Sequence, residues 1–127
     1  MPAPSDRRYS KTHEWHKPEG DSVTIGITQH AVDELTDITF LDIRKKAGPI
    51  KAGEPFGEIE SVKATSELYS GIDGIVTAVN QDVLDHPELI NQDPYGKGWM
   101  IKIKPSGAGA TDKLLSATDY EKTQGGH

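Results

Sequence analysis

Residues 57–74 hold two short β-type segments that leave almost nothing between them to turn the chain, and this confines the fold more than any other stretch. Glu58-Ile59-Glu60 alternates polar with apolar in the two-residue period of a half-buried strand, and Thr65 to Tyr69 reads as its partner. Val62-Lys63 then falls at the tip. Neither Asn-Gly nor Asp-Gly stands there, so the turn is expected to be of the common kind that accepts ordinary residues at negative φ. A lysine in such a turn is held by its backbone and free in its side chain. It is either an ordinary solvated charge or an attachment point. Gly74 closes the descending strand, where a turn with positive φ is expected.

The rest of the chain supplies further strands around this hairpin. Residues 1–8 are polar and proline-rich and are expected to form a disordered lead-in to a single domain over 9–127. Val23, Ile25 and Ile27 alternate with Thr24 and Gly26 after a turn-forming cluster, Lys17-Pro18-Glu19-Gly20-Asp21, and predict a hairpin with the preceding segment from Tyr9. From Thr28, a suitable N-cap, the period changes to that of a short helix ending near Thr36. Ile38 to Ile43 is the next strand, broken by Arg44-Lys45-Lys46-Ala47-Gly48-Pro49. Ile75 to Val79 is a β-branched run closed by Asn80. Pro87 opens at most one helical turn. In Trp99–Lys104 the alternation predicts Trp99, Ile101 and Ile103 on one face and Met100, Lys102 and Lys104 on the other. After a flexible joint at 105–110, two short helices are expected, one from Thr111 through Leu115 and one capped by Ser116, with fraying after Lys122. Together these predict a mainly β sandwich or flattened barrel of short strands, with short helices that include the C-terminal ones.

Composition removes several function classes. The net charge of -6 over 127 residues argues against binding a phosphate backbone. Zero cysteines leave no disulfide, thiolate metal site or cysteine nucleophile, so any redox thiol arrives with a cofactor. No apolar run approaches a membrane span, and the N-terminus lacks a signal peptide's apolar middle, which points to a cytoplasmic protein. His13-Glu14-Trp15-His16 misses zinc-protease spacing by one residue, and no metal is assigned. Glu58 and Glu60 read as a solvated rim. No glycine-rich phosphate loop or serine elbow is present, so the chain is read as a non-catalytic protein.

Glu60-Ser61-Val62-Lys63-Ala64 resembles the lipoylation motif of lipoyl carriers: an acid three residues before the modified lysine, a small residue after it and a glycine eleven residues on, here Gly74. Biotin carriers, similar in fold, flank their lysine with methionines, and Val62 and Ala64 fit lipoate better. A wider resemblance is to the H proteins of the glycine cleavage system, through Ser10-Lys11-Thr12-His13-Glu14-Trp15, Ile25-Gly26-Ile27-Thr28, Asn91 to Gly96 and Gly98 to Pro105.

That resemblance implies a fold of the lipoyl (biotinyl) carrier type and lipoate on Lys63, attached by a lipoate ligase or lipoyl transferase. It implies an arm that takes an aminomethyl group from glycine decarboxylase, passes its carbon on through an aminomethyltransferase, and is reoxidised by dihydrolipoyl dehydrogenase. Thr12, Glu14, Glu34 and Glu67 match the family's cleft for the arm. Thr36 stands where the family commonly has Gly, Gly71 where it has Pro, Asp73 where it often has Ser, and Arg44-Lys45-Lys46 where it tends to be acidic or proline-containing. Similar carriers serve a heterodisulfide-reductase-like complex in bacterial sulfur oxidation, and others donate lipoyl groups in a relay. The same lysine serves all three.

Overall fold

The computed structural model describes residues 3–107 and 109–125. The chain forms β1 (Arg8–Tyr9), β2 (Glu14–Glu19), β3 (Ser22–Ile27), α1 (Gln29–Leu35), β4 (Ile38–Ile43) and β5 (Gly48–Ile50). It continues through β6 (Pro55–Ser61), β7 (Thr65–Tyr69), β8 (Gly74–Val79), α2 (Gln81–Asp85), α3 (Glu88–Gln92), β9 (Ile101–Pro105) and α4 (Ala117–Gly125). Two antiparallel sheets result, one in the order β1-β2-β3-β9-β8-β5 and one in the order β4-β6-β7. The class is the mainly β sandwich that the short alternating runs predict.

Period-two patterning explains how the sheets meet. Val23, Ile25 and Ile27 turn inward from β3, Leu41 and Ile43 from β4, and Ile101 and Ile103 from β9, all buried in one cluster with Phe56, Ile59 and Leu68. Each fully buried side chain of this size contributes about 1.5–3 kcal/mol relative to exposure. A second cluster joins Tyr9 and Trp15 to Ala117 and Tyr120 of α4, with the Tyr9 and Tyr120 rings stacked at 4.8 Å. The C-terminal helix is thus fixed to the first two strands. Gly20, at φ +61, makes the β2–β3 turn at the cluster where sequence predicts one.

Several local expectations are corrected. The lead-in is not loose throughout: Arg7 is buried, its guanidinium 4.7 Å above the Trp15 ring and bonded to the Tyr95 carbonyl at 3.0 Å. Residues 1 and 2 lie outside those described. Gly48-Pro49, read as the end of a break, instead pairs with β8, together with Ile50, as an edge strand, where a proline without an N–H is tolerated. Asn80 does end β8, but it also caps the unforeseen helix α2 by accepting the Asp82 N–H at 3.1 Å. Of the two tail helices only α4 forms; Thr111 to Lys113 is a turn, while Ser116 accepts the Asp119 N–H at 3.1 Å as its sequence suggests. Helix α4 runs on past Lys122 to Gly125, and residues 126 and 127, the end of the stretch expected to fray, lie outside those described.

The alternation from Trp99 also fails at its start. Regular β9 begins only at Ile101; Met100 is fully buried in the main core, while Trp99 packs toward Trp15 and Tyr9 with Lys102 Nζ 5.1 Å from its ring. Gly74 is not a positive-φ residue. It opens β8 opposite Pro105, and a Cβ there would stand 2.4 Å from the Lys104 carbonyl oxygen and 2.5 Å from Ile103 Cγ2. Close approach of two strands, rather than a left-handed turn, is what needs glycine.

Candidate functional site

The hairpin tip is built by one side chain. Ser61 Oγ accepts the N–H groups of Lys63 at 3.1 Å and Ala64 at 3.0 Å, while the Ser61 N–H donates to the Ala64 carbonyl at 2.8 Å. Val62 N–H reaches the Asp37 carbonyl at 3.1 Å, tying the tip to the loop after α1. Neither Val62 nor Lys63 has a positive φ, in keeping with an ordinary turn. Lys63 is exposed, and among the described residues no carboxylate forms an ion pair with it. Its backbone is pinned and its amine is available.

Beside the tip lies a cleft of about 340 Å³. It is bounded by the 12–14 segment, α1 and β7, and its lining includes Lys63 and Ala64 together with Thr12, Glu14, Glu34 and Glu67. The four residues that sequence resemblance assigns to a cleft are therefore brought together around one. Ala31, Leu35, Ile59 and Leu68 add an apolar wall that no sequence motif marks. Their helical and strand periodicity would be the same in any core. Glu60 and Val62 lie outside the lining, on β6 and at the tip, and Gly74 serves the large sheet behind it.

Glu14 is the most enclosed acid in the cleft, 1% exposed at the start of β2. Its carboxylate accepts the hydroxyls of Ser10 and Thr12 and, at 3.1 Å, the Tyr69 N–H of β7. Burial raises its pKa above the ordinary carboxylate range, and the three donors oppose that rise. Ser10 opens the stretch that carries the wider resemblance, but only its hydrogen bonds give it a role at the site. Glu34, on α1, pairs with His30 at 3.1 Å, and His30 lies against His13 with ring centroids 4.7 Å apart. Burial, with His30 beside it, lowers the His13 pKa. His13 Nδ1 in turn meets the Tyr120 hydroxyl at 2.8 Å, which also bonds the Thr28 hydroxyl at 2.7 Å. Helix α4 thereby braces both the lip of the cleft and the N-cap of α1.

Two residues of the basic stretch Arg44-Lys45-Lys46 are compensated within the chain. Arg44 forms an ion pair with Glu67, and Lys45 pairs with Glu54 at 3.4 Å. A model of the family described as Glycine cleavage H-protein matches residues 7–126. The chain belongs to the glycine cleavage H-protein family. The glycine cleavage system H protein of Bacillus subtilis is 50% identical over 122 residues, 96% of each chain. That of Carboxydothermus hydrogenoformans is 49% identical over 119 residues, covering 94% of this chain and 92% of the relative. The crystal structure of a glycine cleavage system H protein from Mycobacterium marinum superposes with a TM-score of 0.87 at 36% identity, covering 97% of this chain and 99% of that one. The similarity to H proteins thus spans both sheets within one aligned length.

Proposed function

We propose that this chain is the carrier subunit of the glycine cleavage system, that Lys63 bears its lipoyl group, and that the cleft beside Lys63 receives the arm. The observation that carries the reading is the meeting of an exposed, backbone-pinned Lys63 with Thr12, Glu14, Glu34 and Glu67 around one cavity of about 340 Å³. Lipoate, joined to the lysine through an amide, supplies a dithiolane on a long tether that moves a group between active sites. The donor set fits such a group. Ala31, Leu35, Ile59 and Leu68 offer an apolar wall to a hydrocarbon tether, and Glu14 and Glu67 offer carboxylates to a cationic end.

The chain's own residues display, orient and shield; they do not perform the chemistry. Ser61 fixes the direction in which Lys63 leaves the tip, and Asp37 fixes the tip against α1. Glu14, held by three donors, presents its carboxyl group without side-chain rearrangement. The partners of this reading are a lipoate ligase or lipoyl transferase, glycine decarboxylase, aminomethyltransferase and dihydrolipoyl dehydrogenase, in the cytoplasm. The H-protein relatives favour glycine cleavage over the sulfur-oxidation and relay readings.

Intact-mass measurement of the protein from its own cells should give one lipoyl increment, absent from Lys63→Arg. The lipoylated protein mixed with the three enzymes should support glycine-dependent NADH formation, lost in the same variant. An increment that survives in Lys63→Arg, or no turnover where a known H protein works, overturns the assignment.

A further inference from the structure

Arg44 stands one residue beyond β4, and its guanidinium reaches across β6 to the far strand of the small sheet. One nitrogen, Nη2, donates both to the Gly57 carbonyl at 3.2 Å and to the Glu67 carboxylate. The Arg44 N–H donates to the Phe56 carbonyl at 2.9 Å, so the base of the side chain is as fixed as its end. Glu67 lies on β7 and lines the cleft beside Lys63. Of the cleft's three acids, Glu14 takes its hydrogen bonds from neutral donors, Glu34 contacts the His30 ring at 3.1 Å, and Glu67 takes its bond from a full positive charge. A cation entering the cleft meets an unpaired carboxylate at Glu14 and a neutralised one at Glu67.

We propose that Arg44 is a latch on the cleft: by holding Glu67 it weakens the grip on a cationic arm end and so favours that end's departure toward a partner enzyme. This inference rests on the carrier reading of Lys63, although its electrostatic part concerns only the cleft. The ammonium of a loaded arm meets at Glu67 a carboxylate whose Oε2 already accepts a guanidinium, so it gains less than a full ion pair there or must displace that guanidinium. A neutral arm end has no reason to displace it. Arg44 therefore acts as a positioning residue that narrows the difference in hold between loaded and unloaded arms. Both side chains are partly exposed, 50% for Arg44 and 38% for Glu67, so solvent screens the pair and the expected effect is modest.

The test uses the full chain without its lipoyl group, titrated with n-butylammonium and, as a neutral control, n-butanol, while the side-chain carboxyl carbons of Glu14 and Glu67 are followed by NMR. Arg44→Gln is expected to bind n-butylammonium about two- to fivefold more tightly than the parent, with n-butanol unchanged. Arg44→Lys, which keeps the charge, should stay close to the parent, and Arg44→Gln/Glu67→Gln should lose the gain. In lipoylated, aminomethyl-loaded protein, spontaneous hydrolysis to ammonium, formaldehyde and the free thiol should slow by a similar factor in Arg44→Gln. Equal n-butylammonium affinity in parent and Arg44→Gln, or carboxyl signals that respond in neither, overturns the latch. A missing lipoyl increment on Lys63 alongside the expected titration overturns the carrier reading and leaves standing only the electrostatic part, the hold of Arg44 on Glu67 against a cation in the cleft.

Discussion

The Glu14 carboxylate accepts the Tyr69 N–H at 3.1 Å, so a side chain of the six-stranded sheet closes part of the outer edge of the three-stranded one. An edge strand otherwise presents unpaired N–H groups. Here one such group is used to fix an acid inside the cleft, and the same bond joins the two layers where the 12–14 segment passes β7.

Glu14→Ala should therefore cost more than a cleft residue's exposure would suggest. It leaves the Tyr69 N–H without its acceptor and removes the oxygen that the Ser10 and Thr12 hydroxyls share, a loss of about 1–3 kcal/mol in urea unfolding, whereas Glu14→Gln should lose less. An alanine variant as stable as the parent would mean that these donors turn to water without penalty.

Thr36 ends α1 at φ 63 and ψ -136, a conformation that suits glycine and crowds a β-branched residue. Its carbonyl accepts Asn91 Nδ2 at 2.8 Å, so tertiary contacts hold the strain in place. Thr36→Gly is expected to stabilise the protein by about 1 kcal/mol, after the entropy that glycine adds to the unfolded chain is subtracted. Thermal and urea midpoints that fall instead would place the threonine's methyl and hydroxyl contacts above its backbone strain.

The sequence was most legible where one period ran unbroken. The alternation at Val23–Ile27, the Thr28 cap and the hairpin tip at Val62-Lys63 all stand as their patterns suggest. It was least legible where tertiary contacts overrule local pattern. Pro49 belongs to a strand because an edge does not use its missing N–H, and Met100 is buried because regular β9 starts only at Ile101. Among the site residues, Lys63 stands in a local motif and Ser10 meets Glu14 four residues on, within the stretch Ser10 to Trp15, whereas Leu35 enters the cleft lining by tertiary packing and Arg44 reaches the cleft's edge only through its ion pair with Glu67.

Gly74→Ala separates close approach from backbone freedom. Because φ at Gly74 is not positive, alanine is disfavoured by what its Cβ would meet: the Lys104 oxygen, the Ile103 methyl and the Pro105 Cα at 3.0 Å. We expect a loss of about 1–3 kcal/mol by denaturant unfolding, with larger side chains worse. Lipoylation of the folded fraction should persist, since the clash lies between β8 and β9 rather than at the tip. A stable alanine variant would show that the two strands part at little cost.

His16 sets a pH limit. It is fully buried on β2, its Nε2 accepts the Gly71 N–H at 3.0 Å, and its Nδ1 has no partner among the described residues. Burial pushes its pKa down to about 4 from 6.5, with a smaller opposing pull from the Glu14 backbone. Between those values the unfolded chain binds a proton that the folded chain refuses, so stability is full above pH 6.5 and falls as pH drops toward 4. The loss should reach about 3 kcal/mol, with His13 acting in the same direction and Glu14, whose pKa is raised, in the opposite one. Urea unfolding at pH 7 and pH 4.5 should show this dependence in the parent and a much weaker one in His16→Gln. Parallel curves for the two proteins would remove His16 as the cause.

Strand β9 lies between β3 and β8 in the large sheet, although β3 ends at Ile27 and β9 begins at Ile101. During synthesis the Lys63 hairpin is complete long before the strand that closes the sheet behind it has been made. The contacts that order its surroundings are of long sequence separation and form late. On the proposed reading of Lys63 as the acylation site, an enzyme that required the hairpin together with α1 and the 12–14 segment would act on a finished chain rather than a nascent one.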